Sequence, residues 1–100
     1  MMQGTTPKHT FTLPFSTTLI SNVQIVYAQN SEVVLIKEMA DCDLEDKTIT
    51  VDLSQEDTFK FNHEINVQIQ LRVLTTGNDA LISIPYIISV GECFNKEVLQ

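Results

Sequence analysis

A period of two constrains this chain more than any other feature. From Glu64 to Val73, the apolar residues Ile65, Val67, Ile69, Leu71 and Val73 alternate with Glu64, Asn66, Gln68, Gln70 and Arg72. Successive side chains on a strand point to opposite faces, so this spacing makes a ribbon that is apolar on one side and polar on the other. On a helix the same residues would scatter around the circumference. The stretch reads as a half-buried strand.

The same rhythm recurs along the chain. Phe11, Leu13 and Phe15 alternate with Thr10, Thr12 and Pro14. Val23, Ile25 and Tyr27 are in phase within Ser21–Gln29. Val33 and Leu35 are in phase within Glu32–Glu38. Ile49, Val51 and Leu53 share a face within Thr48–Leu53. Ile82, Ile84, Tyr86, Ile88 and Val90 share one within Ala80–Val90. β-Branched and aromatic residues fill these stretches, as a pleated surface favours. Six strands follow, or seven if Phe94–Leu99 pairs at an edge. Short strands separated by polar turns at this spacing predict a sandwich or barrel.

The breaks agree. Gln29-Asn30-Ser31 is a short polar turn, and Thr76-Gly77-Asn78-Asp79 reads as a hairpin loop. Pro14 and Pro85 fall inside strand patterns. Proline donates no ladder hydrogen bond, so each marks an edge or a bulge. Ser54-Gln55-Glu56-Asp57 breaks the alternation: a good N-cap residue is followed three positions later by an acid, which resembles a capping box. One helical turn is expected there, crossing from one sheet to the other. The expectation is an all-β, immunoglobulin-like antiparallel sandwich with Thr48–Leu53, Glu64–Leu74 and Ala80–Val90 as its E, F and G strands. One hundred residues make a single domain, 9–100, preceded by a flexible polar arm, 1–8.

Charge excludes several partners. The net charge is −7, and the six basic residues (Lys8, Lys37, Lys47, Lys60, Arg72 and Lys96) are dispersed. Phosphate backbones and anionic lipid are bound by clustered Lys and Arg, so neither nucleic acid nor a membrane surface is an expected partner. No apolar run reaches the roughly 18 residues of a membrane helix, and the polar N-terminus has no signal-peptide core. A cytoplasmic location is the expectation. Cys42 and Cys93 then read as free thiols, because pairing would need their Cα atoms within about 7 Å.

Little in the chain points to catalytic chemistry. His9 and His63 stand outside any motif and read as surface residues. Neither cysteine has a base beside it, and the carboxylates around Cys42 disfavour a thiolate there. The glycines Gly4, Gly77 and Gly91 are isolated, so no phosphate loop forms. Zinc ligation would need His9, His63, Cys42 and Cys93 to meet with no local pairing among them. No enzyme and no cofactor is expected. The acidic loop Asp41–Asp46 offers one candidate site, with Asp41, Asp43 and Glu45 converging on Ca²⁺. It is not an EF-hand: Asp46 stands where that loop needs glycine, and Asp52 falls in a strand where it needs a bidentate Glu.

Some apolar residues lie on what should be the wet face. Val26 and Ala28 oppose Val23, Ile25 and Tyr27; Val34 and Ile36 oppose Val33 and Leu35; Ile87 opposes Tyr86 and Ile88. A contiguous apolar patch on an outer face marks a partner surface. Val34, Ile36 and Ile87, with Gln68 and Gln70 between them, form the candidate protein interface.

Four segments then carry a resemblance: Phe11-Thr12-Leu13-Pro14-Phe15, Val23 to Asn30, Leu53 to Phe61 and Val67 to Val73. Together the chain resembles small virion proteins of tailed phages and prophages of Gram-positive bacteria, and the immunoglobulin-like N-terminal domain of phage baseplate upper proteins. The likeness spans about Thr10 to Val98 and rests on structural motifs. It implies a non-enzymatic assembly component, acting through contacts with copies of itself or other virion proteins, made in the cytoplasm and incorporated into a virion. It supplies no catalytic residues. The competing expectation is a ligand-binding module for a cell-surface glycan or for Ca²⁺.

Overall fold

Every alternating stretch contributes strand to the computed structural model, which describes residues 1–100. The strands are β1 (Lys8–Thr12), β2 (Ile20–Gln29), β3 (Glu32–Glu38), β4 (Cys42–Glu45), β5 (Thr48–Asp52), β6 (Val67–Thr75), β7 (Ala80–Ile82) and β8 (Tyr86–Ile88). One short helix, α1 (Gln55–Phe59), follows β5. All strand pairs are antiparallel.

The strands form two sheets. One runs β1-β5-β4; the other runs β3-β2-β6, with β7 and β8 following each other along the far side of β6. The chain passes between the sheets after β1, after β3 and after β5. In immunoglobulin lettering the sheets are B-E-D and C′-C-F-G, without strand A. The E and F assignments expected from the sequence therefore hold, while the expected G strand is split into β7 and β8.

The core lies between the sheets. Val23, Ile25 and Tyr27 of β2 and Val67, Ile69, Leu71 and Val73 of β6 face Ile49, Val51 and Phe11 of the smaller sheet. Tyr27 stacks obliquely on Phe61, with ring centroids 5.8 Å apart, and Phe11 meets Tyr86 at 5.5 Å. Such tilted pairs add to the stabilisation that burial gives.

Segment 53–66 crosses from one sheet to the other and forms the turn that the sequence predicts. Ser54 caps α1, its Oγ accepting from the Asp57 amide, while Asp57 Oδ2 accepts from the Ser54 amide. The same carboxylate pairs with Lys37 of β3 at 2.9 Å, both side chains being largely buried. Two buried amides hold the rest of the crossing. Gln29 donates to the Asn62 and Ile65 carbonyls and accepts from the Asn62 amide. Gln3 donates to the Phe61 carbonyl.

Four expectations are corrected. The acidic stretch is not a loop: Cys42–Glu45 is β4, with Cys42 and Leu44 packed against the core and Asp43 and Glu45 exposed. Ala80–Val90 is not one strand. Leu71 accepts and donates through Ser83, and the stretch around Ser83–Pro85 adds one residue to the register between β7 and β8. Ile82 is thereby turned to the outer face, while Tyr86 faces inward beside Phe11. Phe94–Leu99 forms no strand. It lies against α1, where the Gln55 side chain bonds the Leu99 amide and carbonyl. Residues 1–8, expected as a free arm, lie against the sandwich: Met2 bridges Gly91, Pro7 accepts from the Leu53 amide, and Thr5 accepts from Thr58.

Asp57→Ala removes a helix cap and leaves Lys37 without its carboxylate in a largely buried site. It should cost about 2–4 kcal/mol of stability. Lys37→Met should cost less, since Asp57 keeps the Ser54 amide. Urea denaturation measures both; equal losses would show that the cap and the ion pair are not shared through this carboxylate.

Candidate functional site

The outer face of the larger sheet gathers most of the apolar residues that alternation sent to the wrong side. Register places them in rows. Ile36 lies opposite Val26, and Val26 opposite Gln70. Val33 lies opposite Ala28, Ala28 opposite Gln68, and Gln68 opposite Ile87. Glu38, Gln24, Arg72 and Ile82 form the adjoining row. With strands about 4.8 Å apart, β3 and β8 stand about 14 Å apart.

Within this face, Gln68 and Gln70 sit between two apolar columns. Val33 and Ile36 are 59% and 42% exposed on one side, and Ile82 and Ile87 are 62% and 63% exposed on the other. The charged row bounds the patch: Arg72 donates to Gln24 Oε1 at 3.0 Å, and Gln24 donates to Glu38 at 3.4 Å. Gln70 donates to the Ser83 carbonyl, so its amide is held toward β7 and β8. Exposed apolar side chains bounded by a polar rim are features of a protein-binding surface.

Four of the five expected interface residues, Ile36, Gln68, Gln70 and Ile87, share this face. Val34 does not. It is the extra residue of a β-bulge: Tyr27 pairs with Leu35, but Ala28 pairs with Val33. The bulge shifts the phase, so Val33 takes the outward place and Val34 is half-buried against the core. Sequence reading missed Val33 and Ile82. Both are turned outward by a one-residue insertion, which alternation cannot register.

The calcium set is not brought together. Asp43 and Glu45 stand two residues apart on β4, roughly 7 Å along the strand. Asp41 is occupied as a cap, accepting from the Glu38 amide at 2.9 Å. No three His, Cys, Asp or Glu side chains are placed to share a metal ion.

Several other titratable groups serve the fold. His9 is not a surface histidine: its half-buried ring puts Nδ1 2.7 Å from the Tyr27 hydroxyl. Burial lowers the His9 pKa and, with Cys42 and Asp57 nearby, raises that of the Tyr27 phenol. A neutral imidazole fits this contact by accepting the phenol proton. Burial, then the Asp41 and Asp43 carboxylates, push the Cys42 thiol up. Cys42 and Cys93 are both free. Burial alone would raise the Asp57 carboxyl; the Lys37 ammonium and the Ser54 donors outweigh it and hold it below its ordinary value. His63 pairs with Glu92 at 3.4 Å, tying the start of the C-terminal segment to the crossing loop.

No helix is long and apolar enough to cross a membrane. Comparison with protein-family models, curated proteins and solved structures returns no match.

Two measurements check this account of the charged groups. The His9 imidazole binds its proton more weakly folded than unfolded, so acidification through its ordinary value of 6.5 favours unfolding. The Asp57 carboxyl, held below 3.8, adds a second loss as pH falls through that region. The melting midpoint should fall in two stages, and His9→Gln should flatten the first, between about pH 7 and 5. Separately, millimolar Ca²⁺ should leave the midpoint unmoved. A clear rise would mean that the acidic residues of β4 bind the ion after all.

Proposed function

We propose that this chain is a non-catalytic assembly module that holds a protein partner on the outer face of its larger sheet. The observation that carries the reading is the pair of exposed apolar columns on either side of Gln68 and Gln70. On a wet sheet face, side chains as large as Ile36, Ile82 and Ile87 lose favourable burial unless something covers them. The two glutamines offer amide donors and acceptors near the middle of the patch, where a partner's polar groups find matches. The charged row Glu38–Gln24–Arg72 forms a rim that sets orientation.

The virion part of the proposal rests on the sequence resemblance. On that reading the partner is another structural protein of a phage or prophage particle, or a further copy of this chain. Genes for portal, tail or tape-measure proteins beside this one support it; a metabolic operon overturns it.

The face is tested by photo-crosslinking. A photoreactive residue replacing Gln68 should give a heavier adduct in the cells that make the protein, and one replacing Asp43 on the opposite sheet should not. Ile87→Asp should abolish the adduct by setting a charge in the apolar column. Equal labelling from both positions would sink the proposal.

A further inference from the structure

The sandwich has four sheet edges, and three are short or broken. β1 has five residues, with Pro7 directly before it and Pro14 soon after. β4 has four residues and exposes Asp43 and Glu45. β7 and β8 have three residues each and are separated at Ser83–Pro85. β3 is different. It has seven residues, contains neither proline nor glycine, and has a neighbour on one side only. The N–H and C=O groups along its other side form a template for a further strand.

The bulge decides which strand fits. A bulge can guard an edge by twisting it away, but here it also resets the faces of β3. Glu32 pairs with Gln29, whose side chain is buried, so register puts it on the core-side face of the strand although its own side chain is exposed. Val33 and Ile36 face outward. Val34 and Leu35 pack on the core side, and Lys37 reaches in to Asp57. From Glu32 to Lys37 the faces read in, out, in, in, out, in. This order is the same from either end.

A strand with that symmetry matches its own copy. Antiparallel pairing about the midpoint between Val34 and Leu35 sets Val33 against Ile36, Val34 against Leu35, and Glu32 against Lys37. Each match occurs twice. Like faces meet throughout, apolar residues meet apolar residues, and Glu32 comes beside the Lys37–Asp57 pair of the other copy. In an unbulged strand, the same midpoint would set every outward residue against an inward one, since the side-chain period is two. We infer that a second copy of this chain docks antiparallel along β3, joining two five-stranded sheets into one continuous sheet around a two-fold axis.

This pairing uses the edge, whereas the proposed partner surface uses the face, so either can fail alone. It also sets the two outer faces side by side, doubling the patch available to a partner.

Sedimentation of the whole chain should show a reversible dimer. Glu32→Lys, at an exposed position, sets a second ammonium beside the other copy's Lys37 at both ends of the pairing and should weaken the dimer about tenfold. Ile87→Asp, far across the sheet, should leave it intact. The register has its own test, in a background where Cys42→Ser and Cys93→Ser remove the native thiols. V33C and I36C proteins, mixed and gently oxidised, should form a covalent heterodimer. Neither alone should crosslink well, because no residue faces its own copy in this register. A chain that stays monomeric at every concentration overturns the inference, even if an unrelated extended peptide binds the edge. So does a dimer in which I36C alone crosslinks as readily as the mixture, the outcome expected of stacked faces. A dimer that fails to crosslink in the mixture overturns it too.

Discussion

A single carboxylate ties the crossing turn to the far edge of the larger sheet. Asp57 Oδ2 accepts from the Ser54 amide and from the Lys37 ammonium, each at 2.9 Å. The first contact closes the helical turn that carries the chain from β5 toward β6. The second pulls Lys37 of β3 to the core side. With Lys37 turned in, Ile36 and Glu38 must turn out. The outer face of β3 is therefore set from beneath, by an ion pair on the opposite side of the strand. A largely buried pair of this kind contributes little net stability over well-packed apolar residues. Its value here is positional: it fixes which side chains of an edge strand meet solvent.

The crossing segment is the other half of that arrangement. Phe61 packs beneath Tyr27, while Gln29 and Gln3 satisfy the carbonyls of the loop around it. Buried backbone groups need partners, and side-chain amides supply them where no strand can. Gln3 also accepts from the Cys93 amide and from Lys96, so one side chain gathers the start of the chain, the crossing loop and the final segment.

Much of this was legible in the sequence. The alternation from Glu64 to Val73 revealed β6, although the strand begins only at Val67 because Gln29 holds Asn62 and Ile65 in a turn. Ser54 and Asp57 announced the cap, since both halves of a capping box are local. β4 stayed hidden because Cys42–Glu45 is too short to show a period, and its acids suggested a loop. His9 looked like a surface residue because its partner, Tyr27, lies in a different strand of the other sheet. Within the candidate face, Ile36, Gln68, Gln70 and Ile87 could be grouped by parity. Val34 could not be placed correctly, nor Val33 and Ile82 found. Parity is counted along a strand, and an inserted residue resets the count without leaving a mark in composition.

Those insertions have an evolutionary side. The bulge at Val34 and the extra residue near Pro85 both lie on strands flanking the sheet's central pair, and each governs the facing of only a few neighbours. Loss of one codon at either place would exchange outward residues for inward ones locally while leaving β2, β6 and the small sheet untouched. The outer face of the larger sheet is thus open to revision by changes in length, a route separate from the slow replacement of one side chain by another. Two related chains that differ by a single deletion here would share a core and present different faces.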